Sequence, residues 1–158
     1  MVLGRKRDAI WDGKERRDAA AVLVVNDDTR AYELLVRMVA TAGYRTVGAT
    51  TDSEARAQIA EELPRCVVLD MTSGGAGSSL KMLDQIRSSD DPRVSSARVV
   101  LCATSLKNRS FSFESGADAF LVRPFHLDEL LAQIADVLQR PHEERSRHRR
   151  DELTRIAE

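Results

Sequence analysis

Ala21-Val22-Leu23-Val24-Val25-Asn26-Asp27-Asp28 is the stretch that decides how this chain folds. A run of apolar, mostly β-branched residues breaks off into one amide and two carboxylates. A strand with one face in water alternates apolar and polar residues. An uninterrupted apolar run implies burial on both faces, as in a parallel strand sandwiched between helices. The polar triplet then belongs to a loop at the strand's carboxyl end. Beyond it, Leu34, Leu35, Met38 and Val39 recur at helical spacing between Thr29 and Ala42, and Gly43 supplies the stop.

The same grammar repeats outward from there. Tyr44 to Ala49 reads as a strand. Thr51 and Glu54 have the spacing of a capping box that opens a helix to about Leu63. Cys66-Val67-Val68-Leu69 is a second buried run, and it ends on Asp70. A Gly/Ser-rich loop, Ser73 to Ser79, leads into a helix with Leu80, Leu83 and Ile86 on one face. Arg98 to Ala103 predicts a strand that ends at Thr104. A helical segment from Asn108 to Ser115 is stopped by Gly116. Ala119 to Val122 predicts the last strand, followed by Arg123-Pro124-Phe125 and a helix from Leu127 to Arg140, where Pro141 ends the pattern. Five strands alternating with five helices imply an α/β three-layer sandwich around a parallel sheet. Right-handed crossovers make the flavodoxin-like (βα)5 order 2-1-3-4-5 the natural topology. The organisation expected is a charged leader over 1–20, flexible or at most a short docking helix, then one domain over 21–140. Residues 141–158 read as a short charged tail, a solvated helix or frayed end with no effector domain.

Composition excludes several classes of function. The chain has 158 residues, 42% apolar and 31% charged, with a formal net charge of −1. Nothing in that balance draws the molecule to nucleic acid or to a membrane surface. No apolar run approaches the roughly 20 residues that span a bilayer. The N-terminus lacks the apolar stretch of a secretory signal, so cytoplasm is the default reading. Cys66 and Cys102 fall inside strand-like runs and read as buried thiols rather than a disulfide. His126, His142 and His148 have no metal-site spacing and read as exposed. Gly74-Gly75-Ala76-Gly77 precedes a helix but matches no nucleotide-binding fingerprint, leaving nucleotide binding as an outside alternative. Acids interspersed with Arg145, Arg147, Arg149 and Arg150 make those arginines a solvated face.

In open α/β sheets, ligands bind at the carboxyl ends of the strands. That rim collects Asn26, Asp27, Asp28, Asp70, Thr104 and Arg123. Converging carboxylates repel one another unless a cation joins them, and hard oxygen donors suit Mg²⁺. A hydroxyl and a guanidinium opposite suit an anion. Metal, carboxylate, hydroxyl and fixed cation together describe phosphoryl transfer. Asp28 is read equally well as a charge at a helix N-terminus.

The ordered set Val24-Val25-Asn26-Asp27-Asp28, Val67-Val68-Leu69-Asp70, Leu101-Cys102-Ala103-Thr104-Ser105, Gly116-Ala117-Asp118 and Leu121-Val122-Arg123-Pro124-Phe125 resembles the receiver domains of two-component response regulators, over about residues 20–140. The resemblance implies that Asp70 is the phosphoacceptor and becomes an acyl phosphate. It implies Asp27 as direct metal ligand, Asn26 as a ligand through water, and the backbone carbonyl of Thr72 as a third metal contact. Thr104 corresponds to the hydroxyl that contacts the phosphoryl group, Phe120 to the aromatic switch, and Arg123 to a nearly universal lysine in a cis bond to Pro124.

Three departures bear on that assignment. Asn26 replaces an acid, which weakens Mg²⁺ binding; Arg123 replaces a compact ammonium by a planar fork. The loop after Asp70 lacks the family's usual Met-Pro and Asp-Gly pairs. Two readings therefore stand. One is a stand-alone phosphorelay receiver, whose chemistry is limited to taking up and releasing its own phosphoryl group. The other is a phosphorylation-independent pseudo-receiver that works by binding. The implied partners are a histidine kinase or phosphotransfer protein and a downstream protein target. The face of the fourth predicted helix, fifth strand and fifth helix is implied for docking or homodimer formation. Phe111 is expected to lie exposed on it, with Phe113 turned into the core.

Overall fold

A computed structural model of the chain describes residues 21–71 and 76–158; the leader, Thr72 and the glycines at 74 and 75 lie outside the described residues. The strands are β1 (Ala21–Val25), β2 (Arg45–Ala49), β3 (Cys66–Leu69), β4 (Arg98–Ala103) and β5 (Ala119–Val122). All pairings are parallel, in the order β2-β1-β3-β4-β5. The expected topology is thus the observed one. The helices are α1 (Thr29–Thr41), α2 (Asp52–Glu62), α3 (Ala76–Arg87), α4 (Pro92–Ser95), α5 (Arg109–Glu114), α6 (Leu127–Gln139) and α7 (His142–Ala157), with a 3₁₀ turn at Leu106–Asn108. The fourth and fifth helices expected from the sequence are therefore α5 and α6.

Successive strand side chains point to opposite faces, so the unbroken apolar runs feed two cores. Leu23, Val25, Val67, Leu69, Val99 and Leu101 pack under α2 and α3 against Ile59, Met82, Leu83 and Ile86. Val22, Val24, Val68, Val100 and Cys102 pack under α1 and α6 against Leu35, Val39, Leu130, Ile134 and Val137. Phe113 is buried and Phe111 is 58% exposed, as two positions 200° apart on a helix should be. Both cysteines are free and buried.

Helix ends follow side-chain chemistry. Asp28 caps α1, its Oδ1 accepting from the amides of Arg30 and Ala31 at 3.0 and 3.2 Å. Thr51 Oγ1 accepts from Glu54 N at 3.1 Å, and the Glu54 carboxylate reaches back to accept from the amide of Thr50 at 2.8 Å, one residue beyond the expected box. The short α4 was not anticipated; Asp91 caps it and Pro92 opens it, a pairing that favours helix starts. Gly116 adopts φ +104°, which an L side chain resists, and so turns the chain sharply into β5.

The tail corrects the sequence reading. It forms α7, but Arg145 and Glu152 are 5% and 8% exposed rather than solvated. His148, expected in water, is half-buried with its ring edge-on to Phe113, centroids 6.4 Å apart. Both departures arise from partners on α5 and at the start of β5, discussed below. No helix among the described residues is long and apolar enough to cross a membrane.

Candidate functional site

The carboxyl ends of β1, β3, β4 and β5 converge because the ladder places them in register. Val25 pairs with Leu69, Leu69 with Leu101, and Ala103 with Val122. The next residue on each strand is therefore a rim residue. Backbone bonds hold these positions beyond the strands themselves: Asp70 N donates to Val25 O at 2.9 Å, and Arg123 N to Ala103 O at 2.7 Å.

Asp70 is 2% exposed and sits between two donors. Asn26 Nδ2 donates to its Oδ2 at 2.8 Å. The Arg123 guanidinium makes a short ion pair with Oδ1 and donates to the Asp70 carbonyl at 3.2 Å. Asn26 is fully buried, and its own Oδ1 accepts from Asp28 N at 2.7 Å. The amide thus turns its nitrogen toward Asp70, and its oxygen keeps one lone pair beyond the bond from Asp28.

Arg123 is the hub. Burial lowers its pKa from the ordinary guanidinium value, while the charges of Asp27 and Asp28 pull it back up, so both carboxylates lie within electrostatic reach. It remains a cation. Its Nε is buried with no hydrogen-bond partner among the described residues, a donor left over after Asp70 has been satisfied. Buried donors without acceptors are uncommon enough to call for an explanation.

The remaining predicted residues divide. Asp27 follows β1 on the same rim and is partly buried. Thr104 follows β4 one residue beyond the carbonyl that Arg123 N bonds, but it is exposed and makes no hydrogen bond to Asp70 or Arg123 among the described residues. Phe120, in the middle of β5, packs partly buried against the α2–α3 core. Thr72 lies outside the described residues; before it, Met71 N donates to the buried Ser79 Oγ at 3.3 Å. The bond between Arg123 and Pro124 is cis.

A divalent cation has a donor set here only in outline. Asp27 and Asp70 offer hard carboxylate oxygens, and each Asp70 oxygen keeps a lone pair after accepting one hydrogen bond. No cluster of three His, Cys, Asp or Glu suited to a metal exists among the described residues. Two carboxylates with further oxygens from water or backbone still fit Mg²⁺.

Sequence reasoning missed a second constellation at the opposite end of β5. Asp118 is 1% exposed and receives Arg145 on both oxygens, Arg87 at 3.0 Å and the amide of Val99 at 2.9 Å. Burial pushes its carboxyl up, but the hydrogen bond and charge of Arg145 with the charge of Arg87 outweigh that, leaving it below the usual carboxylate range. Arg145, Arg149 and Glu152 share one helical face, but no residue around them in sequence points to Asp118.

Comparison with known proteins agrees with this fold. The family model described as response regulator receiver domain matches residues 22–135. The response regulators MprA of Mycolicibacterium vanbaalenii and Mycobacterium leprae are 34% and 33% identical over 119 residues, 75% of this chain and 50% and 51% of theirs. The chain thus spans about half the length of the curated relatives it matches. Among solved structures, the CheY-like receiver domain protein of Methanospirillum hungatei superposes with TM-score 0.63 at 22% identity, covering 82% of this chain and 98% of that one. TrrA of Thermotoga maritima, solved in complex with Mg(2+)-BeF, gives 0.62 at 26% identity, covering 75% and 98%.

Proposed function

This chain belongs to the response regulator receiver domain family of two-component signalling, and from that premise we propose that Asp70 accepts a phosphoryl group from a histidine kinase or phosphotransfer protein. The observation that carries the proposal is the buried Asp70 carboxylate beside a guanidinium with a donor to spare. In the reaction, an Asp70 carboxylate oxygen forms a bond to phosphorus, the donor's bond to phosphorus breaks, and the donor leaves with that electron pair. An acyl phosphate results, and attack of water on its phosphorus later restores the carboxylate. The same chain has no further catalytic task in this scheme.

Arg123 supplies the local electrostatics. Its ion pair holds the carboxylate at rest; once Asp70 is esterified that oxygen loses its full charge, and the guanidinium and its free Nε–H pair with phosphoryl oxygens instead. Asn26 keeps the second oxygen fixed and the carboxylate oriented. Thr104, exposed on the rim, is the hydroxyl that approaches the new phosphoryl group, and Phe120 behind it follows that movement. Asp27 and Asp70 would hold a Mg²⁺ ion, which when bound offsets the negative charge gathered on the transferring group. Output then passes to a downstream protein, or to a second copy of the chain, through the α5–β5–α6 face, where Leu106 and Phe111 are 62% and 58% exposed.

Incubation with acetyl phosphate and Mg²⁺ followed by intact-mass measurement tests this. Addition of one phosphoryl mass to the native chain and none to Asp70→Asn is the expected result. No addition under conditions that modify an ordinary receiver would refute it. That outcome would favour the binding-only reading, which one observation supports: both Asp70 oxygens are already hydrogen-bonded. In that case Asp70→Asn leaves partner affinity unchanged.

A further inference from the structure

The tail helix carries an inference that neither the phosphoacceptor nor the receiver frame requires. Arg145, His148, Arg149 and Glu152 stand at i, i+3, i+4 and i+7, on one face of α7. That face lies against α5 and the start of β5. Arg145 Nε and one terminal nitrogen donate to the two Asp118 oxygens at 2.8 and 3.0 Å. The guanidinium also donates to the carbonyls of Ser96 and Ala97, at 2.8 and 3.3 Å. His148 meets the Phe113 ring, and Glu152 accepts from Arg109 at 3.0 Å.

The receptor side of this contact is built to take a guanidinium. A buried carboxylate and two backbone carbonyls present only acceptors, and their placement engages the planar fork at three edges, which a lysine cannot reproduce. The socket also survives being emptied. Arg87 makes its own bonds to Asp118 and to the carbonyls of Gly116, Ser95 and Ala97, independent of the Arg145 atoms. The Asp118 charge is therefore never left alone.

The occupant, by contrast, offers little apolar surface to the body. The only large apolar residues of α7, Leu153 and Ile156, are half-buried, while Glu143, Glu144, Arg147, Arg150 and Asp151 face water. Only Arg140 and Pro141 connect α7 to α6. Buried charge pairs hold the helix, rather than an apolar stripe, so only an occupant that brings the same charges can replace it.

We propose that Asp118, the Ser96 and Ala97 carbonyls, Arg109 and Phe113 form a docking site for an arginine-bearing helix, which α7 fills in cis and a partner helix enters by displacing it. The partner chemistry follows from charge complementarity. Its helix carries arginine at one position to meet Asp118, a ring three residues on to meet Phe113, and an acid seven residues on to meet Arg109. The site works whether or not Asp70 takes phosphate, so failure of one reading leaves the other standing.

A fluorescent synthetic peptide of residues 142–158 serves as the probe, titrated into the full chain and followed by anisotropy. Arg145→Gln in the chain loosens its own helix but leaves the socket intact. The variant is expected to bind the peptide about tenfold or more tighter than the native chain, because a competing intramolecular occupant lowers apparent affinity by the fraction of open sites. A peptide with Arg145→Lys is expected to lose about tenfold on the variant chain. Equal affinity of the two chains, equal affinity of the two peptides, or no binding to the variant would each overturn the proposal. A second arm uses only the native chain: saturating peptide should accelerate amide exchange in α7, and unchanged α7 protection would overturn it equally.

Discussion

Replacing Arg123 by Met asks whether one guanidinium holds the Asp70 carboxylate in place. The Asp70 side chain is 3% exposed and that of Arg123 25%. Two unit charges ~3 Å apart attract by ~5.5 kcal/mol at an effective dielectric near 20. Much of that offsets desolvation, so the pair itself contributes far less. Breaking it is another matter. Removing one partner of a buried pair destabilises by ~3–5 kcal/mol, because the other charge is left uncompensated. Here Asn26 keeps one hydrogen bond to Asp70, and the vacated side opens to water. We therefore expect a loss of ~2–4 kcal/mol, or about 9 °C in Tm.

Asp70→Asn should behave differently. It leaves a cation that is a quarter exposed and still near Asp27 and Asp28, so stability should change by less than ~1 kcal/mol. The double variant Asp70→Asn/Arg123→Met lacks both charges and should fall close to the Asp70→Asn value. Urea denaturation of the four proteins then gives a coupling energy of ~2–4 kcal/mol. If Arg123→Met and the double variant lose the same stability, with coupling under ~0.5 kcal/mol, the apolar stem of Arg123 does the stabilising and the ion pair does not.

Phe113→Ala empties a buried ring position between α5 and α7, and should cost ~3–5 kcal/mol in urea melts, against under ~1 kcal/mol for the exposed Phe111→Ala. Burial, with the charge of Arg140, holds His148 below its ordinary pKa of 6.5 when α7 is docked, although Glu152, Asp136 and Asp118 pull the other way. The docked helix binds fewer protons than the released one, so docking is fully supported above that ordinary value and weakens as pH falls through the lower, docked one. Amide protection in α7, corrected for the intrinsic pH dependence of exchange, should fall between pH 7.5 and 5.5, and His148→Gln should flatten that fall; the two pH values bracket the ordinary histidine pKa of about 6.5. Burial pushes Cys66 and Cys102 up to about 12. A thiol reagent at neutral pH should therefore modify neither in the native chain and both in urea; rapid native labelling would contradict their placement in the sheet.

The strands were legible because burial on two faces leaves a run with no polar residue in it, as in Val22 to Val25 and Cys66 to Leu69. Their ends were legible because the polar residues start at once. That rule delivered Asn26, Asp70 and Arg123 to one rim. The Phe111 and Phe113 assignments followed from helical geometry alone. What stayed hidden depended on partners far away in sequence. Arg145 looks solvated among its neighbouring acids, since nothing around it on α7 reveals that Asp118, just before β5, supplies its partner. The orientation of the Asn26 amide was hidden for the same reason: it is set by Asp28 N on one side and Asp70 on the other. Only α4 was overlooked despite a local signal, Asp91 before Pro92, in a segment too short to show periodicity.

The two unusual residues of the rim make better sense together than apart. With aspartate at position 26, Asp70 would face a second buried carboxylate, and the cluster would need an external cation to be stable. Asparagine there turns a repulsion into a hydrogen bond of 2.8 Å. Arginine at position 123 then reaches the other carboxylate oxygen and still keeps a donor unspent. Counting Asp27, Asp70 and Arg123, the inner site carries one net negative charge, where an acid at position 26 would make it two. Attraction for a divalent ion scales with that charge. The protein has thus moved part of a metal's stabilising work onto its own side chains, and the resting carboxylate is held without one.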